Sequence, residues 1–193
     1  MEQFLTSFFK LFVIMDAIGL LPIFLLLSEK LPKRQRETAA NKTIIWATIL
    51  IVIFTFTGLQ ILNFFGISIS SFQIAGGLIL FLLGGKIILG LRFGVQKKQA
   101  ELYEFTVVPM AMPLIVGPGT ITTLIILVSA YGYSTILLSA ALNLIILWFV
   151  FRYAHLLYKI IGHQGSEVAS RLMGIILTAM AIEIIKNGLI LSF

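Results

Sequence analysis

The segment Pro113-Leu114-Ile115-Val116-Gly117-Pro118-Gly119-Thr120 places strong helix breakers in the middle of an apolar stretch, residues 105–130. Proline has no backbone N–H and glycine adds backbone freedom, so the Gly-Pro-Gly motif predicts that one half-helix ends here and another begins. In the hydrocarbon of a membrane, the freed backbone groups are tolerated only where protein or a water-filled cavity satisfies them. Discontinuous helices present such amides and carbonyls to the solute in many transporters. The segment therefore predicts a solute-binding site at membrane depth.

The composition of the chain is that of an integral membrane protein. Of its 193 residues, 59% are hydrophobic and only 11% are charged, and the mean hydropathy is +1.06. A soluble domain of this length carries far more charge. The first apolar run lacks the basic segment and the small-residue cleavage site of a signal peptide, so we expect it to be retained as a helix.

Several function classes are excluded by what the sequence lacks. It has no cysteine, and two histidines alone do not make a conventional zinc site, so we expect neither a disulfide framework nor a metal site. The spans contain no Ser/His/Asp constellation and no phosphate-binding motif, so we expect no enzyme activity and no cofactor. The net charge of +6 comes from basic residues near helix ends, which indicates membrane orientation rather than nucleic-acid binding.

Apolar runs of about 20 residues predict six membrane spans in a single transmembrane domain over residues 1–193. The spans are residues 4–27, 41–62, 71–91, 105–130, 134–157 and 167–190. The basic residues of the connections all fall on one side of such a chain: Lys30, Lys33, Arg34, Arg36, Lys42, Arg92, Lys97, Lys98, Arg152, Lys159 and Arg171. The opposite connections, 63–70 and 131–133, contain no lysine or arginine. Because basic connections stay cytoplasmic, we expect both termini to lie outside the plasma membrane.

The two halves of the chain, about 1–95 and 96–193, are similar to each other. A shift of 98 positions aligns three pairs of glycines, Gly19 with Gly117, Gly76 with Gly174, and Gly90 with Gly188, and it aligns Gln73 with Arg171. Two halves of three spans each enter the membrane from opposite sides and are related by a two-fold axis in its plane. The predicted fold is therefore all-α, with six transmembrane helices in two inverted three-helix repeats. Residues 16–22 become the counterpart of the Gly-Pro-Gly motif, so the first and fourth helices are both expected to break near the midplane.

The order and spacing of several short motifs resemble those of the MarC family of inner-membrane proteins over essentially the whole chain. The motifs are Ile14-Met15-Asp16, Gly19, Pro22-Ile23-Phe24, Phe65-Gly66-Ile67-Ser68, Phe72-Gln73-Ile74-Ala75-Gly76-Gly77, Pro113 through Gly117-Pro118-Gly119, and Ser170-Arg171-Leu172-Met173-Gly174. The family includes a transporter of small neutral amino acids. Where members usually carry Pro and often Asn, this chain has Ala17, which removes a helix breaker from span one, and Leu20, which removes a polar group that could face a substrate.

Asp16 is the most central acid of the chain. An ionised carboxylate is costly in lipid, so we expect its side chain to face the bundle interior, a cation or a partner side chain. As a functional group, it would accept the ammonium group of an amino acid or carry a coupling proton. The structural alternative is a helix cap for the second half of span one, or a pair with Lys10. We favour the functional interpretation.

The threonines Thr120, Thr122 and Thr123 follow the Gly-Pro-Gly motif, at the start of a half-helix. Exposed N–H groups and the helix dipole favour a carboxylate at such a position. The alternative is ordinary capping, with the hydroxyls bonded back to the preceding turn. Of the three, Thr120 is the best candidate for a substrate contact.

Other polar and small residues of the spans favour structural roles. Glu183 and Lys186 are three residues apart and are expected to neutralise each other. Asn143 is expected to make an interhelical hydrogen bond, and glycines such as Gly77 and Gly84 on one helix face are expected to allow close helix packing. Trp148 is expected to be an interfacial or lipid-facing aromatic.

Together these observations predict a secondary transporter that moves a small neutral amino acid such as alanine or glycine outward by alternating access, with a proton or sodium ion as the coupling candidate. The resemblance alone supplies the substrate class. A cation-selective channel remains an alternative, since broken helices also line selectivity filters, and so does a structural membrane subunit. Beyond the amino acid, the lipid bilayer is the expected partner. The candidate substrate-binding residues lie at the two predicted breaks: Asp16, Gly19, Pro22, Gly117, Pro118, Gly119, Thr120 and Thr123.

Overall fold

A computed structural model describes residues 2–28, 31–91 and 105–192 of the chain. These residues form seven α-helices and one π-helical segment, which we call the π segment, and they contain no strand. The elements are α1 Glu2–Met15, α2 Ala17–Ser28, α3 Lys33–Phe64, α4 Ile69–Ile88, the π segment Val107–Ile115, α5 Pro118–Tyr131, α6 Tyr133–Arg152 and α7 Ala154–Ile190.

Five helical stretches of the described residues are long and apolar enough to cross a membrane. They are 2–28, which joins α1 and α2, and then 33–64, 69–88, 133–152 and 167–190. A sixth span is obtained when the π segment and α5, which are bent by 47° relative to each other, are counted as one. The all-helical membrane architecture is therefore confirmed, and the predicted fourth span is the bent one.

Two predicted connections are helical in the structure. Helix α3 begins at Lys33, directly after Pro32, although its apolar run begins eight residues later at Asn41. The intervening lysine, arginine, glutamine, glutamate and alanine residues are strong helix formers, so the helix extends past its apolar part. Helix α7 likewise includes residues 158–166 and is interrupted at Gly162, whose φ is +70°. The expected loop with Arg92, Lys97 and Lys98 lies outside the described residues, as do Lys30 and the side chain of Lys159.

Helices α4 and α7 pack against each other along a seam of small residues. A methyl group added at Gly77 would lie 2.6 Å from Ile185 Cγ1 and 3.0 Å from the Ala181 carbonyl oxygen. One added at Gly84 would lie 2.9 Å from the Gly174 carbonyl oxygen. Residue numbers rise along α4 as they fall along α7, so the two helices are antiparallel. The prediction that these glycines serve close helix packing is correct.

Helix α1 is fastened to α6 by buried polar side chains. The Asn143 side-chain amide donates to the Phe8 carbonyl oxygen at 3.2 Å and to the Ser139 carbonyl oxygen at 2.9 Å. Further along the span, the buried rings of Phe24 on α2 and Phe151 on α6 stack with their centroids 4.5 Å apart. The interhelical role predicted for Asn143 is confirmed, and these contacts hold the first span in place beside α6.

Candidate functional site

The first break interrupts the first span at Asp16, between α1 and α2. Asp16 is a non-glycine residue with a positive φ, +42°, a conformation that aspartate adopts more readily than most residues. Its Oδ1 atom accepts a hydrogen bond of 3.0 Å from the Gly19 N–H, and its carbonyl accepts one of 2.9 Å from the Leu20 N–H. This is the geometry of an N-cap. The capping alternative for Asp16 is therefore present in the structure.

The cap uses one of the two carboxylate oxygens of Asp16. The side chain is half-buried, and among the described residues no second donor bonds to it and no cation pairs with it. The alternative pairing with Lys10 is accordingly not found. The Oδ2 atom has no hydrogen-bond partner among the described residues.

Gly19 is required by the geometry of the first break. A methyl group at this position would overlap the Asp16 carboxylate and would lie 2.5 Å from Met173 Cε on α7. Only a residue without a side chain lets the Asp16 carboxylate reach over the first turn of α2 while α7 packs beside it. The predicted importance of Gly19 thus has a local cause, which is the cap.

The second break lies at Val116 and Gly117, between the π segment and α5. Val116 has φ −105° and ψ 67°, and Gly117 is extended, with φ −92° and ψ −178°. Pro118 occupies the first position of α5, where its missing N–H costs no hydrogen bond. The Gly-Pro-Gly motif therefore ends one helical segment and begins another, as its composition predicts.

No side chain caps the start of α5. The first intrahelical amide is that of Ile121, which bonds to the Gly117 carbonyl oxygen at 2.9 Å. The amides of Gly119 and Thr120 precede it and have no acceptor within the helix. Among the described residues these two amides have no acceptor, and they lie at the positive end of the α5 dipole.

Position 117 has no space for a side chain, because a side chain there would collide with the backbone. A methyl group there would overlap the carbonyl oxygen of Pro113 and would lie 3.9 Å from Leu80 Cδ1. Between Pro113 and Gly117 the backbone leaves helical geometry at Val116, and the π segment also has non-helical angles at Val108 and Met112. The absence of a side chain is thus needed for the shape of the break itself.

The threonine hydroxyls after the second break donate to backbone carbonyls. Thr120 Oγ1 donates to the Ile115 carbonyl oxygen at 2.8 Å and so joins α5 to the end of the π segment. Thr122 Oγ1 donates to the Pro118 carbonyl oxygen at 2.7 Å, within α5. Both side chains are buried, whereas Thr123 is half-buried. Both hydroxyls are thus bonded back to preceding carbonyls, as the structural alternative for these threonines describes.

The two breaks are neighbours in space. A methyl group at Gly119 would lie 2.8 Å from Cδ1 of Ile14, which is two residues before Asp16. The same methyl group would lie 3.4 Å from Ile184 Cδ1 on α7. The structure therefore brings Asp16 and Gly19 of the first span to the same region as Gly117, Gly119 and Thr120 of the fourth.

Pro22 lies inside α2, three residues after Gly19. Its carbonyl oxygen accepts a hydrogen bond of 2.8 Å from Ser170 Oγ on α7. Sequence reasoning missed this contact, and it also missed Met173 beside Gly19 and Gly76 beside Pro118. A usable signal was the aligned pair Gly76 and Gly174, because each break packs against α4 or α7 next to one member of that pair.

The remaining polar candidates have structural partners. Lys186 Nζ lies 3.3 Å from the Glu183 carboxylate, so the predicted pair is confirmed. Arg171 bonds to Glu167 at 2.6 Å on the exposed surface of α7. Its aligned counterpart Gln73 has a buried Oε1 atom without a hydrogen-bond partner in the described residues.

The whole chain, residues 1–193, matches the model of the MarC family of integral membrane proteins, and the chain belongs to this family. A membrane protein of Archaeoglobus fulgidus is 36% identical over 195 residues, covering 96% of this chain and 92% of the relative. One of Methanocaldococcus jannaschii is 33% identical, covering 98% of this chain and 97% of the relative. One of Buchnera aphidicola subsp. Acyrthosiphon pisum is 31% identical, covering 96% of this chain and 91% of the relative. No solved structure matches the chain.

Proposed function

We propose that this member of the MarC family is a secondary transporter that carries a small neutral amino acid across the plasma membrane by alternating access. The observation that carries the proposal is the pairing of the two breaks. One offers the Asp16 carboxylate with a free oxygen, and the other offers the bare amides of Gly119 and Thr120. An amino acid in solution carries one ammonium and one carboxylate group. In this mechanism Asp16 binds the ammonium and the start of α5 binds the carboxylate.

The surroundings of the breaks favour a small substrate without a charged side chain. The side chains closest to Gly117 and Gly119 are the aliphatic Leu80, Ile14 and Ile184. An additional charge on the substrate would find no partner there and would be costly to bury. The family resemblance points to the same class of substrate, with alanine and glycine as the first candidates.

Alternating access requires two nearly equivalent states, which an inverted repeat supplies. Several contacts support such a repeat here. A methyl group at Gly188 would lie 3.2 Å from Gln73 Cβ, and one at Gly90 would lie 3.5 Å from an Arg171 guanidinium nitrogen. The shift of 98 residues pairs Gly90 with Gly188 and Gln73 with Arg171. The two contacts therefore join equivalent positions of the two halves.

The placement of the breaks supports the same relation. The first break touches α7 at Met173, and the second touches α4, where Pro118 packs on Gly76. Each half thus sets its break against the glycine-rich helix of the other half. We infer that the halves are inverted copies, that both termini lie outside, and that the seam between α4 and α7 is where the halves move relative to each other.

Flux measurements in proteoliposomes test the proposed function. The purified protein is reconstituted, and uptake of labelled alanine is followed with and without a pH gradient or a sodium gradient. We expect saturable uptake that unlabelled glycine competes away. Two truncated competitors test the binding geometry: alaninol, which lacks the carboxylate, and propionate, which lacks the ammonium, should each compete at least tenfold more weakly, since each loses one charged hydrogen bond.

The alternatives give different results in the same preparation. A non-saturating cation current without competition by glycine would assign a channel. A well-folded protein that supports neither amino acid flux nor current would remove the transport proposal and leave the structural subunit.

A further inference from the structure

An apolar groove of about 440 Å³ lies between α3 and α6, away from the two breaks. Its walls are α3 between Ile44 and Val52 and α6 between Leu137 and Trp148. Thr48 is the single hydroxyl-bearing lining residue, and its hydroxyl donates to the Ile44 carbonyl oxygen at 2.7 Å. The groove therefore offers its occupant apolar surface and no free hydroxyl proton.

The groove has the length of one membrane leaflet. Leu137 and Trp148 are 11 residues apart on α6, which is about 17 Å at a rise of about 1.5 Å per residue. Half of a hydrocarbon core of about 30 Å is about 15 Å. The groove is therefore long enough to hold a large part of a lipid acyl chain that lies along it.

One end of the groove is closed by a polar cluster around Trp148. The indole N–H of Trp148 donates to Asn41 Oδ1 at 2.8 Å. The guanidinium carbon of Arg152 lies 5.7 Å from the centre of the indole ring, and this guanidinium bonds to Glu37 at 3.3 Å. The tryptophan is thus held between the apolar groove and a charged boundary, as tryptophans at membrane interfaces commonly are.

The same end of the groove is strongly basic. Residues 33–42 of α3 contain Lys33, Arg34, Arg36 and Lys42 against the single acid Glu37. Helical spacing of three or four residues places Arg34 on the face of α3 that carries Glu37 and Asn41. Arg34 is exposed. Glu37 pairs with Arg152 of α6, so Arg34, about one turn before Glu37 on the same face of α3, lies at the same end of the groove as Arg152.

We propose that this groove is a binding site for an anionic phospholipid, with one acyl chain along α3 and α6 and the phosphate at Arg34 and Arg152. Lipid tails are as apolar as leucine side chains, so the apolar walls alone do not select an occupant. The basic end does, because each lysine or arginine near the membrane surface attracts anionic lipid. A second copy of the chain, related by a two-fold axis along the membrane normal, would bring two basic ends together at the same depth. Charge therefore favours the lipid over the second copy.

Native mass spectrometry of the full chain tests the site, with phosphatidylglycerol and phosphatidylcholine of identical acyl chains as the two probes. We expect the wild-type protein to retain phosphatidylglycerol at least about fivefold better. Arg34→Gln should reduce this preference about fivefold while leaving phosphatidylcholine unchanged. Ala141→Trp, which fills the groove with a side chain, should abolish the high-affinity lipid adduct.

Two control variants show whether an effect on lipid binding comes from the groove or from any added tryptophan or any lost positive charge. Leu138→Trp places the same tryptophan side chain on α6 at a residue that is 57% exposed and does not line the groove. Lys10→Gln removes one exposed positive charge from α1. Both variants should bind lipid as the wild type does. Equal retention of the two lipids by the wild type, or unchanged phosphatidylglycerol binding in Ala141→Trp, would overturn the proposal, and a dimer that Ala141→Trp converts to monomer without a change in lipid binding would assign the groove to a second copy.

Trp148 provides a second measurement that needs no groove-filling variant. The chain has two tryptophans, so Trp46→Phe leaves Trp148 as the single tryptophan, whose fluorescence can be excited selectively at the red edge of its absorption. Phosphatidylglycerol with brominated acyl chains should quench its fluorescence at lower mole fractions than brominated phosphatidylcholine does. Identical quenching curves for the two lipids would contradict a selective site.

Discussion

The two interruptions of the helical bundle are built in opposite ways. At the first break a single residue, Asp16, takes a positive φ, and its own carboxylate caps the helix that follows. At the second break the π segment, an extended Gly117 and Pro118 separate two helical axes by 47°, and no side chain caps the helix that follows. The first break is made by a side chain, whereas the second is made by backbone.

This difference gives the two breaks opposite polarity. The first carries a negative charge with a free oxygen, and the second carries bare N–H groups at the positive end of a helix dipole. Two identical breaks would bind two like groups. Under the proposed function, a pair of opposite polarity would bind the two charged groups of a zwitterion, and the similarity of the two halves would allow the movement between the two access states.

The largest effect is expected from Gly117→Ala at the second break. The added methyl group would overlap the Pro113 carbonyl oxygen. Because this is a backbone atom, it cannot move aside by a change of rotamer. The π segment must then shift against α5, and a displacement of about 1 Å at a binding site costs about a hundredfold in rate. We expect alanine uptake in proteoliposomes to fall by about that factor.

Gly85→Ala is the matched control for that prediction. It makes the same chemical change inside α4 at a glycine with no atom within 4 Å of the added methyl group. It should leave uptake unchanged and, because alanine favours helix, should not lower the melting temperature. Full activity of a folded Gly117→Ala protein would show that the shape of the second break is irrelevant to transport.

The next effect in size is expected from Asp16→Asn at the first break. Asparagine tolerates a positive φ and is as good an N-cap as aspartate, so α2 and its hydrogen bond from Gly19 should survive. The charge is lost, and a hydrogen bond to a charged group contributes about 1.5–3 kcal/mol. We therefore expect the alanine concentration for half-maximal uptake to rise at least tenfold.

The melting temperature in detergent distinguishes the two roles of Asp16. Asp16→Asn should leave it unchanged, whereas Asp16→Ala should lower it, because the loss of an N-cap costs about 1 kcal/mol. If Asp16→Asn binds and transports alanine as the wild type does, the carboxylate is a cap and has no substrate role.

The second break was predictable from the sequence, and the first was predictable only in part. Gly117-Pro118-Gly119 breaks a helix through the local backbone preferences of glycine and proline, which follow from residue type alone. The first span offers Asp16 and Gly19 but has Ala17 and Leu20 where breakers and polar groups are usual in the family. Its break depends on a hydrogen bond from Gly19, which is local and was an alternative from the sequence, and on the contact with Met173 of α7, which exists only in the folded chain.

Polar and packing contacts were likewise predictable only where residue type and spacing determine them. The interhelical role of Asn143 and the pairing of Glu183 with Lys186 follow from residue type and spacing, and both are found. The bond from Thr120 to Ile115 crosses the second break and requires the return of the π segment, which no local pattern predicts. The groove between α3 and α6 joins residues about 100 positions apart and was likewise inaccessible to sequence reasoning.

A smaller effect is expected when the hydroxyl that crosses the second break is removed. Thr120→Val keeps the shape of the side chain but leaves the Ile115 carbonyl without its partner, a loss of about 1 kcal/mol. We expect uptake to fall about fivefold. Thr122→Val is the matched control, because its hydroxyl bonds within α5 and not across the break. Equal activity of the two variants would show that the crossing hydrogen bond does not position the break.

The smallest effect at the second break is expected from Pro118→Ala. Proline at the first position of a helix presets φ, and its replacement costs about 0.4–1 kcal/mol through the unfolded chain. Alanine is also accepted at the first position of a helix. Gly117 is unchanged in this variant, so the backbone of the second break can keep its conformation. We expect uptake to fall by about threefold or less and the melting temperature to fall slightly. A Pro118→Ala protein as inactive as Gly117→Ala would mean that the rigid proline ring, which packs on Gly76, and not the bare backbone at Gly117, holds the second break open.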